Sequence, residues 1–439
     1  MPISSELQQL IDETPLIDTH EHLAEEKTRV EQEVFKGPWG LPIYKDFSLL
    51  FPPYGRDDLV SAGLPKDSLK KFFDPRTEVP EKWKIIAPFY ANARNTGYFR
   101  NMRESLQLLI QEEDVTESNC ERISEKLRAL IQPGYYLRIL RDLCKIEYCQ
   151  VNSLENDLFM ETAQPELLAQ DLSFLSLSIN PQIESISRQE QIEIKNLKDW
   201  HNLIDHCYDK YGPRAIALKN QGAYTRPLHF KKRNAEEVAS PFQRYLKDPD
   251  QIAVEEWVAV QDHLFHYCLE KAQAFRLPIK LHSGYFSGTG YMPLSWLRHH
   301  AGEISELLVS YPHLNFIIMH IIYPYAEEAI ALAKHFPNAY IDMCWAWTID
   351  PVRSIRFIKE FLTAAPANKL LVFGGDVMQI ELLPGQVKMA RRGLAQALSE
   401  LVEEGWIEKK QVEKIVYGLM QGNAKQLFRY SEVLSRWKK

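Results

Sequence analysis

Several absences narrow the chain before any motif is considered. No stretch of the 439 residues approaches the roughly 18 consecutive apolar residues that a bilayer-spanning helix needs. The six cysteines (Cys120, Cys144, Cys149, Cys207, Cys268, Cys344) are scattered, with no CxxC pair and no framework spacing, which argues against a disulfide scaffold and suits a reducing cytoplasm. Basic residues are spread rather than clustered and the formal net charge is −7, so there is no electrostatic footprint for nucleic acid. Internal repeats and low-complexity tracts are absent. The segment from Met1 to Asp12 carries a helical apolar repeat and lacks the apolar run of a secretory signal. These features predict a soluble cytoplasmic protein that acts on a small molecule, without a nucleic-acid or membrane partner; a homo-oligomer stays open.

What is present points to one large α/β domain. With 45% apolar side chains the chain can bury a sizeable core, and it exceeds the roughly 250 residues of a typical (β/α)8 barrel. Short apolar runs recur as strand candidates: Leu16–Leu23, Tyr148–Val151, Phe174–Ile179, Ala215–Lys219, Pro278–His282, Phe316–His320, Ala339–Cys344 and Leu370–Asp376. Amphipathic helical patterns separate them, which predicts a parallel sheet covered on its outer face and closed as a TIM barrel. Between the first two strands, residues 24–134 break this rhythm. They hold loop-like pieces (Gly37–Gly40, Phe51–Gly55) and helical patterns (Glu81–Tyr90, Tyr98–Glu112), and read as a mostly helical lid over the active-site mouth. Helix Tyr135–Leu143 restores the alternation, and extra helices follow Asp376 at Val387–Leu401 and Val412–Leu427. The expected organisation is a single domain over 1–439 with 24–134 inserted.

The chemistry is concentrated at strand ends. In Leu16-Ile17-Asp18-Thr19-His20-Glu21-His22-Leu23 the two histidines share one face of a strand, where both could hold one divalent cation. His282, His320 and Asp376 end the fifth, sixth and eighth strand candidates. Barrel strands converge at their C-terminal ends, so residues distant in sequence meet there. A single histidine at such a position is more often a hydrogen-bonded core residue, and the repetition is what argues for a site. Nitrogen and carboxylate donors with an open position suit a catalytic Zn2+ or a similar metal, with Asp376 as ligand and general base together. Gly374 and Gly375 let the backbone pass close by.

This set, together with His320–Tyr325 (HIIYPY), Phe336–Asp342 and the Asn423-Ala424 helix, resembles the amidohydrolase superfamily and, more narrowly, its amidohydrolase-related branch. That branch holds uncharacterised hydrolases, nodulin-like domains fused to glutamine synthetases, and aromatic-acid decarboxylases. The resemblance implies metal binding by His20, His22, His282 and Asp376, with His320 orienting or protonating the reacting group. It implies one ion, most simply Zn2+, or two if Lys219, at the end of the fourth strand, is carbamylated; otherwise Lys219 holds a substrate oxygen or forms a salt bridge. Arg226 is a candidate carboxylate clamp, although arginines on barrel loops more often are solvated or pair with surface acids, and Arg94, in the lid, is a candidate to reach the pocket and touch substrate. Tyr285 and Trp345, with Tyr323 and Trp347, could wall the pocket or pack the lid. His263 and His266, at i, i+3 in a helical pattern without a carboxylate motif, read as surface residues.

The expected activity is hydrolysis of an amide, ester or lactone by metal-activated water. Two rivals keep the site and change the reaction: decarboxylation of a small unsaturated or aromatic acid, and isomerisation of a sugar acid. Uronate isomerases share the His-x-His barrel and also carry a long helical insertion after strand one. A non-catalytic scaffold stabilised by metal is disfavoured, because structural zinc sites are usually closed by four protein ligands and prefer cysteine, and no cysteine is among the expected ligands.

Overall fold

The computed structural model describes residues 3–36, 42–154, 158–288 and 290–438. Eight strands lie at or beside the expected positions: β1 (Leu16–Glu21), β2 (Ile146–Val151), β3 (Leu172–Ser173), β4 (Leu218–Asn220), β5 (Ile279–Leu281), β6 (Phe316–Ile318), β7 (Ala339–Asp342) and β8 (Leu370–Leu371). Parallel strands alternating with helices make the chain an α/β protein of the (β/α)8 TIM-barrel class, with a mostly helical insertion after β1 and further helices after β8. Two compact units are distinguishable, each discontinuous in sequence: Met1–Glu155, Tyr285–Met292 and Asp342–Ala424 form the first, and Asn156–Gly284, Pro293–Ile341 and Lys425–Lys439 the second.

In the first unit β1 is buried at every residue and pairs in parallel with β2, placing Ile17 opposite Tyr148 and Asp18 opposite Cys149. Along its other edge the Thr19 N–H donates to the Phe373 carbonyl (3.1 Å), and the His22 N–H donates to the Val377 carbonyl (3.0 Å). The insertion contributes helices Gly55–Ser61, Lys66–Phe72, Val79–Ala93, Gly97–Ile110 and Cys120–Leu130. Phe47, Phe51 and Phe72 give these helices their own core, with ring centroids 5.2 to 5.9 Å apart in edge-to-face arrangement. The Gly37–Gly40 loop expected from the sequence lies outside the described residues.

In the second unit β3 to β7 run in sequence order as one parallel sheet. Leu218 pairs with Leu172 on one side and Ile279 on the other, and Ile279 with Phe316, which in turn pairs with Ala339. Within this sheet Lys280 and Asp171, both fully buried, form an ion pair with Nζ 2.9 and 2.8 Å from the two carboxylate oxygens.

Some expectations are corrected. Phe174–Ile179 is a turn, not a strand: the Leu177 N–H returns to the Phe174 carbonyl (3.3 Å) and the Ser178 hydroxyl to the same oxygen (2.6 Å). Its apolar residues are buried by packing, and serine's local hydrogen bonds compete with the ladder. His263 and His266 are buried rather than exposed, on the helix Val254–Phe275. His263 Nδ1 bonds the Arg233 carbonyl (2.9 Å) and His266 bonds Tyr311 Oη (2.7 Å) and the Phe230 carbonyl (3.1 Å). The Val412–Leu427 helix is divided by a wider turn over Gly418–Gly422.

Candidate metal centre

β1 and the residue directly after it supply two imidazoles, and the chain after β8 supplies a carboxylate. His20 Nε2 lies 3.4 Å and His22 Nε2 3.2 Å from Asp376 Oδ1. All three residues are buried, with Asp376 5% exposed and His22 9%. Ligands about 2.1 Å from a tetrahedral cation stand about 3.4 Å from one another, so these separations suit one small divalent ion, and the N/O donor set suits zinc or a similar metal. His22 Nδ1 donates to the Asn152 carbonyl (2.7 Å), which turns the Nε2 lone pair toward the cluster.

Backbone bonds make this meeting reproducible. The Asp376 N–H donates to the His20 carbonyl (2.9 Å), and Asp376 has φ 56°, a left-handed conformation uncommon for a non-glycine residue. Glu21, between the two histidines, accepts the Val377 N–H through Oε2 (2.8 Å), and burial, reinforced by Asp18, pushes its carboxyl well above the usual range. Asp18 Oδ1 accepts from the His20 N–H (3.1 Å) and the Gly375 N–H (3.3 Å). Gly375 is required by space: a Cβ there would sit 1.9 Å from Glu21 Oε1.

An aromatic wall belongs to the same unit. The Trp345 ring, at φ 64°, stacks on Tyr54 (centroids 4.5 Å, 23°), which stacks on Tyr98 (5.2 Å, 19°), and Tyr285 lies 5.7 Å from Trp345. Tyr54 and Tyr98 come from the insertion, and the Tyr54 hydroxyl donates to the Asp376 carbonyl. Trp347 instead packs in the interior, its indole N–H on the Val372 carbonyl (2.9 Å). Arg94 Nε is 2.6 Å from Asp114 at an exposed position.

The second unit holds the other strand-end residues. His320 Nε2 and His282 Nδ1 are 2.9 Å apart, and His320 opens three successive left-handed residues (φ 60°, 50° and 54° through Ile322). Tyr224 packs at 4.5 Å from the His282 ring. Lys219, buried on β4, has Nζ 2.9 Å from Met319 Sδ, a weak acceptor. Arg226 is buried and engaged with Asp262 (2.6 Å), Gln261 (3.2 Å) and the His229 carbonyl (2.8 Å), the surroundings of a structural arginine.

Sequence inspection singled out neither Tyr54 nor Asn152. Asn152 follows β2 directly and its carbonyl is anonymous in sequence; Tyr54 lies in a proline-rich turn without periodicity.

Residues 243–429 match the amidohydrolase family. The amidohydrolase resemblance drawn from the motifs is thereby shown over a stretch that includes His282, His320 and Asp376. A 97-residue segment, 21% of this chain, is 31% identical to Protein fluG of Emericella nidulans and covers 10% of it, so the match spans about a tenth of that relative. Uronate isomerase of Thermotoga maritima is similar in structure, with TM-score 0.73, 15% identity and 96% of each chain covered. A Lactobacillus casei protein provisionally described as a metal-dependent hydrolase gives TM-score 0.63 at 16% identity over 98% of each chain. At such identities the likeness is one of fold. No helix among the described residues is long and apolar enough to cross a membrane.

Proposed function

We propose that this amidohydrolase-superfamily protein is a metal-dependent hydrolase acting on an amide, ester or lactone of a small, anionic substrate. The observation that carries it is the buried cluster of His20, His22 and Asp376, nitrogen and carboxylate donors without cysteine whose separations suit one small divalent ion. When bound there, a divalent cation such as Zn2+ brings the pKa of coordinated water to about 7 and polarises a carbonyl oxygen. His20 and His22 would hold the ion through Nε2, the atoms that face Asp376 Oδ1. Asp376 contributes one oxygen, takes the proton of the attacking water and returns it to the leaving group.

His320 orients or protonates the reacting group. The resemblance makes His282 a further ligand, which would act through Nε2 because Nδ1 meets His320. Lys219 is the buried cation for a substrate oxygen, or carries a bridging carbamate if two ions bind. Trp345 and Tyr285 bound the substrate; Arg226 and Arg94 hold the fold around Asp262 and Asp114.

A second reading is a uronate-isomerase-like reaction, favoured by the long helical insertion after β1 and by the fold shared with the Thermotoga protein along the whole chain. Decarboxylation of a small unsaturated or aromatic acid would use the same residues with a proton replacing CO2. Metal analysis followed by turnover assays on esters, lactones, amides, hexuronates and aromatic acids separates them. Hydrolysis of a panel member is the expected result. Keto–aldo interconversion of a hexuronate without hydrolysis would overturn it in favour of the isomerase, and bound metal without any turnover would favour a scaffold.

A further inference from the structure

We infer that Tyr54, supplied by the insertion, is a positioning residue that sets the metal affinity of Asp376; this rests on the metal site proposed above. Asp376 has a left-handed backbone, and both of its main-chain polar groups are anchored. Its N–H is held by the His20 carbonyl (2.9 Å), while its carbonyl receives the Tyr54 hydroxyl. These two bonds determine where Cα aims the carboxylate, and that aim brings Oδ1 within 3.4 Å of both imidazoles.

Tyr54 is itself held firmly. Its buried ring lies between Tyr98 and Trp345, and the Trp345 N–H donates to the Gly374 carbonyl (2.8 Å), two residues before Asp376. Tyr54 through its hydroxyl and Trp345 through its main-chain N–H thus bond the Asp376 segment at two carbonyls. Partners behind the ligands of a metal site commonly change affinity by about 10-fold to 100-fold when removed.

The test uses the full chain and Co2+ as the probe, with Tyr54→Phe removing the hydroxyl but keeping the stacked ring, and Tyr98→Leu disturbing the stack but keeping the hydroxyl. Co2+ affinity by chelator competition, the visible spectrum of the Co2+ form and the unfolding temperature of the metal-free protein are measured. Tyr54→Phe is expected to lower the metal-free unfolding temperature by no more than about 4 °C, as the loss of one buried hydrogen bond does, while losing about 10-fold to 100-fold in Co2+ affinity and altering the spectrum. Tyr98→Leu is expected to retain more of the affinity. Tyr54→Phe with wild-type affinity and spectrum would overturn the inference alone, as would an equal loss in Tyr98→Leu, which would assign the effect to packing. Wild-type protein that binds no Co2+ would remove the metal site and this inference with it.

Discussion

Gly375→Ala probes whether the close approach beneath the candidate ligands is a requirement of space. The new Cβ would meet Glu21 Oε1 at 1.9 Å and Leu383 Cδ2 at 2.4 Å, far inside the roughly 3.5 to 4.0 Å at which non-bonded carbons sit comfortably. Gly375 is not in the left-handed region, so the penalty comes from contact rather than from backbone strain. Glu21 is fully buried and its Oε2 accepts the Val377 N–H (2.8 Å), so moving the carboxyl endangers that bond. Overpacking costs about 1 to 3 kcal/mol and a lost buried hydrogen bond about 1 more, giving about 2 to 4 kcal/mol in all. Because Glu21 sits between His20 and His22, metal uptake should fall as well. Urea unfolding followed by tryptophan fluorescence, with elemental analysis of metal, measures both. Gly302→Ala is the control of opposite sign: nothing lies within 4 Å of a Cβ in its helix, so it should stabilise by about 0.5 to 1 kcal/mol. A Gly375→Ala protein with wild-type unfolding midpoint and metal content would refute the reasoning.

The paired variant His20→Ala with His22→Ala should lose bound metal while staying folded, measured by elemental analysis and circular dichroism; full occupancy would remove β1 from the site. Asp376→Asn keeps a coordinating oxygen but cannot take the proton, so it should retain some metal and lose about 100-fold to 10,000-fold in turnover on a verified substrate. Asp171→Asn leaves Lys280 buried with its counter-charge removed and should cost about 3 to 5 kcal/mol in chemical unfolding, whereas replacing both partners with apolar residues should cost far less. For pH, burial lowers His300 to about 4, so between about 6.5 and 4 the unfolded chain takes a proton that the folded one refuses, and stability falls on acidification. Burial raises Asp58 to about 6, so from about 6 down toward its ordinary value it works in the opposite direction. Melting temperatures across pH 4 to 8 should therefore show a flatter acid limb in His300→Asn and a gain at neutral pH in Asp58→Asn.

The strand ends were legible because two independent patterns coincide there: a buried apolar run, and a polar residue where that run stops. His282 and His320 follow their apolar runs directly, Asp376 follows its run after two glycines, and His20 and His22 close the buried stretch that opens at Leu16. Patterns of one period fail where a polar neighbour supplies the cover. The helix Val254–Phe275 buries Asp262, His263 and His266 against chain between Arg226 and Arg233, which caps each of them with a carbonyl or a guanidinium. From the helix alone the two histidines read as surface residues. Phe174–Ile179 fails for the related reason that burial does not distinguish a strand from a buried turn whose serines bond locally.

Direction was also illegible, and direction is what chemistry needs. Asp376, Trp345 and His320 each have positive φ, a conformation uncommon for non-glycine residues, although aspartate and histidine adopt it more often than most and tryptophan does not. A sequence can show that an aspartate follows two glycines after a strand; it does not show that the aspartate turns left-handed. What turns it is tertiary: the His20 carbonyl on one side and the Tyr54 hydroxyl on the other, 356 and 322 residues away along the chain. The local conflict at Asp376 is therefore offset by bonds that exist only in the folded protein, so loosening the insertion should disturb the carboxylate before it disturbs the strands beneath it.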